Sequence, residues 1–208
     1  TFIVDQTQHA HKGKHSVEFQ TLAPFTQTHN QVASMVASNH SEGSVLVIAP
    51  DEKDVDLIVK ALEMQGLQSL KLTAAMTREE RYRNFLQAMH GPNSIVVGTR
   101  SAVFVPVKNL ATLIVHKESS QDHYEIRSPG WNARKVAFIR AEFESIKLIL
   151  TGFSPSMEVS QLIDERAVKY SNVKQVVNIK AFSPNEGALL PGRIFSEIKK
   201  ALEQGPVL

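Results

Sequence analysis

Three stretches of this sequence combine residue types suited to binding phosphates or bases. Thr99, Arg100 and Ser101 follow the glycine that ends an apolar run. A turn of that composition offers backbone amides, hydroxyls and a guanidinium, which suit a phosphate without reading its sequence. Arg100 equally suits a strand-end cap or a carboxylate partner. Tyr124, Arg127, Trp131 and Arg134 mix aromatic and basic side chains. Rings stack on unpaired bases while arginines hold phosphates; the same four residues also suit a helix start with Trp131 packed and Arg134 solvated. His9, His11 and His15, interspersed with Lys12 and Lys14, have donor atoms for a transition metal, but this segment reads more simply as a solvated basic arm. No G-x-S-x-G, H-E-x-x-H or G-x-G-x-x-G pattern points to a hydrolase, a zinc protease or a dinucleotide site.

These residues must be held by elements that the hydrophobic pattern makes visible. Short apolar runs alternate with amphipathic segments, the mark of a parallel sheet covered by helices on both faces. Strands are predicted near Val17–Leu22, Ser44–Pro50, Ser69–Thr73, Ser94–Gly98, Ala111–Val115, Lys147–Leu150 and Val173–Ile179. Helices are predicted near Thr28–His40, Asp51–Gln65, Thr77–His90, Ala133–Glu144, Met157–Ala167 and Gly192–Glu203. Thr77 and Glu80 have capping-box spacing. Asp51, Glu52 and Asp54 favour a helix N-terminus through its dipole rather than catalysis. Phe182–Gly187 reads as a linker. The organisation is therefore a segment 1–16, an α/β domain 17–181, and a linker with the start of a second unit at 182–208.

Of 208 residues, 42% are hydrophobic and 21% charged, which excludes wholesale disorder and a membrane-spanning class. A soluble, cytoplasmic protein is expected. The absence of cysteine removes disulfides and thiolate metal sites from this chain. A net charge of +2 makes any nucleic-acid contact local. Thr1 as the first residue and a strand-like Pro206–Leu208 as the last read as those of an excised piece.

The string Asn93-Ser-Ile-Val-Val-Gly-Thr-Arg-Ser-Ala102, with Phe104, Pro106 and Asn109-Leu110 after it, resembles the GTRSA segment of the PriA (primosomal protein N-prime) helicase family. Arg81-Tyr-Arg-Asn-Phe upstream supports the likeness. Trp131-Asn-Ala-Arg-Lys-Val-Ala137 with Arg140-Ala141 is similar to that family's YHARDLA segment, and Thr151-Gly-Phe-Ser-Pro-Ser156 stands in the place of its GSATPS motif. The resemblance spans roughly Phe19 to Leu208. It implies the first RecA-like lobe of a superfamily 2 helicase plus the start of a second lobe. It also implies that Thr99, Arg100 and Ser101 face DNA, and that Tyr124, Arg127, Trp131 and Arg134 form an aromatic-rich loop linking DNA binding to ATP hydrolysis.

The departures are as informative. A phosphate-binding loop needs glycines, a lysine and a Ser or Thr for magnesium. The corresponding Thr21–Thr28 has no glycine, Pro24 lacks an amide hydrogen, Gln27 replaces the lysine, and Thr28 alone is kept. The acidic magnesium motif becomes His116, Lys117 and Glu118, where a hard cation would prefer oxygen ligands. The pattern resembles the PriA-like proteins of actinobacteria, regarded as lacking helicase function. Phosphoryl transfer rests on positioning and charge stabilisation, so loss of ATP hydrolysis is expected. The reading is a DNA-binding or scaffolding piece of a replication-restart protein. The alternatives are an ATP-dependent 3′ to 5′ DNA helicase with an altered nucleotide site and a purely structural interaction domain. The implied partners are forked or single-stranded DNA, other primosome proteins and single-stranded DNA-binding protein, with no membrane. No cofactor is expected in this chain; ATP and zinc belong only to the full-length family.

Overall fold

The computed structural model describes residues 15–24, 26–172 and 192–203. Its elements are β1 Ser16–Thr21, α1 Thr28–Asn39, β2 Ser44–Ile48, α2 Glu52–Met64, β3 Leu70–Leu72, α3 Arg78–His90, β4 Ile95–Gly98, β5 Leu110–Val115, β6 Tyr124–Glu125, β7 Trp131–Asn132, α4 Ala133–Phe143, β8 Lys147–Gly152, α5 Met157–Asp164, β9 Lys169–Ser171 and α6 Gly192–Leu202. Seven strands form one sheet in the order β3-β4-β2-β5-β8-β1-β9, and every pairing in it is parallel. The short β6 and β7 form a separate antiparallel hairpin.

Strands buried on both faces must be apolar throughout, and β2, β4 and β5 are buried at every position. The two-residue period of a strand then splits each side-chain set between two cores. Leu46, Ile48, Val96, Leu113 and Leu150 pack with Ala88 of α3, Ala133, Ala137 and Ala141 of α4, and Val159 of α5. Val45, Val47, Val97, Ile114 and Ile149 pack with Val32, Ala33 and Val36 of α1 and Val55, Ile58 and Leu62 of α2. The α/β sheet covered on both faces is thus as expected.

Local chemistry sets the helix starts. The Thr77 hydroxyl accepts from the Glu80 amide, and the Glu80 carboxylate accepts from the Thr77 amide, completing the capping box. Asp51 caps α2 by accepting from the Asp54 amide at 2.7 Å. Asn132 and Ser156 cap α4 and α5 in the same manner.

Three details differ from the sequence expectation. Helix α5 stops at Asp164 instead of Ala167 because Arg166 adopts φ +61° and the Ala167 and Val168 amides return to the Leu162 carbonyl. The chain then enters β9, whose three exposed residues carry no apolar signal. The β6/β7 hairpin has two residues in each strand, too few for periodicity to reveal. The strands expected at Val173–Ile179 and Pro206–Leu208, the linker at Phe182–Gly187, the junction at 181 and 182 and the basic histidine arm lie outside the described residues, apart from His15, whose Nδ1 meets the Ala141 carbonyl oxygen at 3.1 Å. The chain divides into two units, Thr1–Lys174 and Gln175–Leu208. In the second, α6 places Ile194, Phe195, Ile198 and Leu202 at helical spacing.

Gly98 ends β4 where the backbone makes its closest approach to β3. A Cβ there would lie 2.5 Å from the Leu72 carbonyl oxygen and 2.5 Å from the Ala102 Cβ. Gly98→Ala should therefore force β3 and β4 apart and lower stability by about 1–3 kcal/mol, read from urea unfolding midpoints.

Candidate functional site

In an open parallel sheet, ligands bind beyond the carboxyl ends of the strands. Here the ends of β1, β8, β5 and β2 meet: the Leu22 amide donates to the Gly152 carbonyl, the His116 amide to the Ile48 carbonyl, and the Glu118 amide to the Thr151 carbonyl. The loop before α1 and the His116–Glu118 turn therefore lie at one edge of the sheet.

Protein groups fill that edge. Gln31 of α1 reaches back across the 22–28 loop. Its Oε1 accepts from the Ala23 amide at 2.9 Å, and its Nε2 donates to the Thr26 hydroxyl at 2.6 Å and to the Ala23 carbonyl at 3.3 Å. One amide of the loop is thus consumed, and Pro24 has none to give. Gln27 is the residue before α1, and its side-chain oxygen accepts from Asn30 Nδ2 at 2.8 Å. Thr28 is the first residue of the helix.

Lys117 adopts φ +51° and sends its ammonium to Asp54, bonding both carboxylate oxygens at 2.8 and 2.7 Å. Glu118, 1% exposed, accepts from Arg134 Nη1 at 2.6 Å, from the Ser156 amide at 2.6 Å and from the Ser156 hydroxyl at 3.1 Å. Arg134 also pairs with Glu158. His116 is fully buried, with Nδ1 against the Thr151 hydroxyl at 3.1 Å and Nε2 without a partner among the described residues. Burial pushes its pKa down to about 4; nearby Asp54 opposes the shift and Lys117 adds to it. Burial also lowers His123, whose Nε2 donates to the His116 carbonyl. A nucleotide with magnesium needs free amides, a free lysine and free carboxylates. Three of the groups that requirement would use are engaged within the protein: the Ala23 amide by Gln31, the Lys117 ammonium by Asp54 and the Glu118 carboxylate by Arg134, an arrangement that does not fit it.

The residues selected for DNA contact fall on the next stretch of the same edge. Thr99 is half-buried and Ser101 exposed on the turn after β4. The Arg100 guanidinium does not stand free: it donates to Glu125 Oε2 through Nε and Nη2, at 3.2 and 3.0 Å. The Arg127 amide, first, and the Arg100 guanidinium hold the Glu125 carboxyl below the usual range. This ion pair ties the turn to the β6/β7 hairpin, and Phe104 packs edge-on against Trp131, with ring centroids 4.9 Å apart, as a second tie. Tyr124, Trp131 and Arg134 do converge, on a polar recess of about 490 Å³ that also includes Glu118 and Glu158. Arg127 is exposed.

Arg134 is not solvated. The sequence places it among the phosphate-binding or solvated cations, but its side chain is 7% exposed and bound by two carboxylates. A guanidinium so paired is a structural cross-link. Asp54, Ser156 and Glu158 each act here on a residue distant in sequence, and Gln31 acts on Ala23, eight positions back, so no motif spacing marks them. Asp54 and Lys117 are 63 positions apart, for example.

The sheet order, the helices on both faces and the loops gathered at the carboxyl edge define a RecA-like α/β fold. The C-terminal domain of the DEAD-box protein Dbp5 from S. cerevisiae, solved with Gle1 and IP6, superposes with a TM-score of 0.54 at 9% identity, covering 91% of this chain and 97% of that one. Dbp5 bound to RNA and ADP BeF3 gives 0.55 at 10% identity, over 92% and 45%. No family model matches the chain. In sequence it is similar to the probable replication restart protein PriA of Mycobacterium tuberculosis H37Rv, 33% identical over 122 residues, or 58% of this chain and 19% of that protein. The replication restart protein PriA of Thermotoga maritima is 30% identical over 119 residues, or 56% and 16%, and that of Synechocystis 37% over 86 residues, or 41% and 10%. The matched region spans about a fifth or less of the length of those relatives.

The buried histidine makes a measurable contribution to pH dependence. Between its ordinary pKa of 6.5 and about 4, the unfolded chain binds a proton at His116 that the folded chain does not. Stability present above pH 6.5 is therefore lost as pH falls through that window. His116→Asn should flatten the decline by on the order of 2 kcal/mol between pH 7 and 4.5, measured as the difference between the two urea-unfolding curves.

Proposed function

We propose that this chain is the first RecA-like lobe of a PriA-like replication-restart protein, acting in DNA binding or scaffolding without hydrolysing ATP. The observation that carries this reading is the occupation of the nucleotide corner by its own side chains. The phosphate loop is bridged by Gln31, the would-be cation position by the Lys117 ammonium on Asp54, and the remaining acidic residue by Arg134. Each substitution replaces an interaction with ligand by one within the protein, so the fold keeps its edge without the nucleotide. The order of elements supports the first-lobe assignment: β8, bearing the Thr151–Ser156 segment, stands between β1, which leads into the loop, and β5, which leads into His116–Glu118.

A specific observation also favours the scaffolding side of this reading. Arg100 and Arg134, two cations expected to meet phosphate, are held by Glu125, Glu118 and Glu158. DNA contact on the Thr99–Ser101 turn then relies on Ser101, the backbone and neighbouring cations.

ATP with magnesium should give no heat of binding in calorimetry and no turnover above a buffer blank. Turnover abolished by Thr28→Ala would overturn the proposal. Fluorescence anisotropy with forked and unbranched DNA, with and without ATP, should give ATP-independent binding that weakens as salt rises. A folded chain that binds no DNA at either low or physiological salt leaves scaffolding as its role.

A further inference from the structure

Beside the Thr99–Ser101 turn, the start of α3 and the ends of β3 and β4 enclose a cleft of about 520 Å³, within the range of roughly 300–1,000 Å³ typical of small-molecule sites. Ser101 belongs to both the turn and the cleft. Its other chemistry-bearing walls are Thr73, Arg78, Arg81, Tyr82 and Phe85.

Three observations distinguish this cleft from an ordinary surface fold. The Thr73 hydroxyl is buried, with the residue 2% exposed, and has no partner among the described residues. Leaving such a group unmatched is costly, and a ligand acceptor or donor would relieve it. Arg78 and Arg81 form no ion pair among the described residues, in contrast to Arg100, Arg134 and Arg140. Tyr82, at 63% exposure, stands at the wall with no ring partner among the described residues, while Phe85 is half-buried against the core. An apolar floor, an exposed aromatic face, two free guanidinia and two hydroxyls are together the recognition set for a nucleotide: a flat base with an anion attached.

We infer that this cleft captures one unpaired nucleotide of a single DNA strand, its base against Tyr82 and Phe85 and its phosphates on Arg78, Arg81 and Ser101. The inference rests on the DNA-binding reading above and adds to it a base-holding subsite outside the 99–101 turn. Continuity through Ser101 favours a strand over a free nucleotide. The turn can hold the backbone on one side while the cleft receives the next base. Stacking on an aromatic face tolerates any base, so the subsite selects unpaired over paired DNA rather than a sequence.

The test uses the full chain and two single-stranded oligonucleotides of equal length, one intact and one abasic at its central positions, which removes bases and keeps phosphates. Wild type should bind the intact strand about 10-fold more tightly. Tyr82→Ala should erase that preference while leaving affinity for the abasic strand and the thermal midpoint unchanged, because the ring is exposed. A double Arg78→Gln, Arg81→Gln variant should weaken binding to both strands and reduce the salt slope by about 1–2. Equal binding of the two strands by wild type, or a preference surviving Tyr82→Ala, would overturn the inference and leave DNA binding by the turn intact. Binding of neither strand by the folded chain would overturn this inference together with the DNA-binding side of the proposed function, leaving scaffolding. Saturable binding of deoxyadenosine monophosphate, lost in Tyr82→Ala and unaccompanied by strand binding, would assign the cleft to a free nucleotide and overturn capture of a strand.

Discussion

A carboxylate taken out of water must be paired, and the pairing of Glu118 organises the whole carboxyl edge of this sheet. Its side chain is fully buried at the end of β5. One oxygen accepts from the Ser156 amide where α5 begins, and the other from Arg134 in the first turn of α4 and from the Ser156 hydroxyl. Three elements that are far apart in sequence therefore converge on one acidic group. Removing either partner would leave a desolvated charge, at a cost of about 3–5 kcal/mol. The lysine one position earlier ties the same turn to α2 through Asp54. The edge is thus cross-linked from within.

That cross-linking changes what the positive charges can do. Arg140 donates to the Val103 and Val105 carbonyls and pairs with Glu144, so it too serves the fold by holding the segment after the 99–101 turn. The guanidinia on the β4–β5 side of the domain are mostly committed inward. Those on the first turns of α3 are not, and the electrostatic weight of this face moves toward Arg78 and Arg81 although the net charge of the chain is only +2.

How much of this was legible in the sequence follows from the range of each interaction. The capping box at Thr77 and Glu80 involves residues three apart and was readable directly. The central strands were equally plain, because a strand buried on both faces has to be apolar throughout. Strand β9 was not, since Lys169, Tyr170 and Ser171 are exposed at the sheet edge and are held there by backbone pairing with β1. Pro24 and Gln27 were readable as departures from a phosphate-loop pattern, but the contacts made around them were not. That Gln31 turns back on Ala23, or that Arg134 meets Glu118, depends on tertiary geometry that no local pattern encodes. The same limit applies to Arg100, for which a carboxylate partner and a phosphate were both open until the β6/β7 hairpin placed Glu125 beside it.

The position of β1 has a consequence for how this domain is made. Among the described residues it is the first strand and lies between β8 and β9, the last two, with Ser16 opposite Lys147 and Glu18 opposite Lys169. Both of its hydrogen-bonding edges stay open until those late segments arrive. Such long sequence separations slow folding, because the entropy of closing the chain is lost before the contacts form. On a ribosome, β2 to β5 can assemble early, while Phe19 and Leu22, both fully buried in the finished domain, wait exposed until the chain has been made through Ser171.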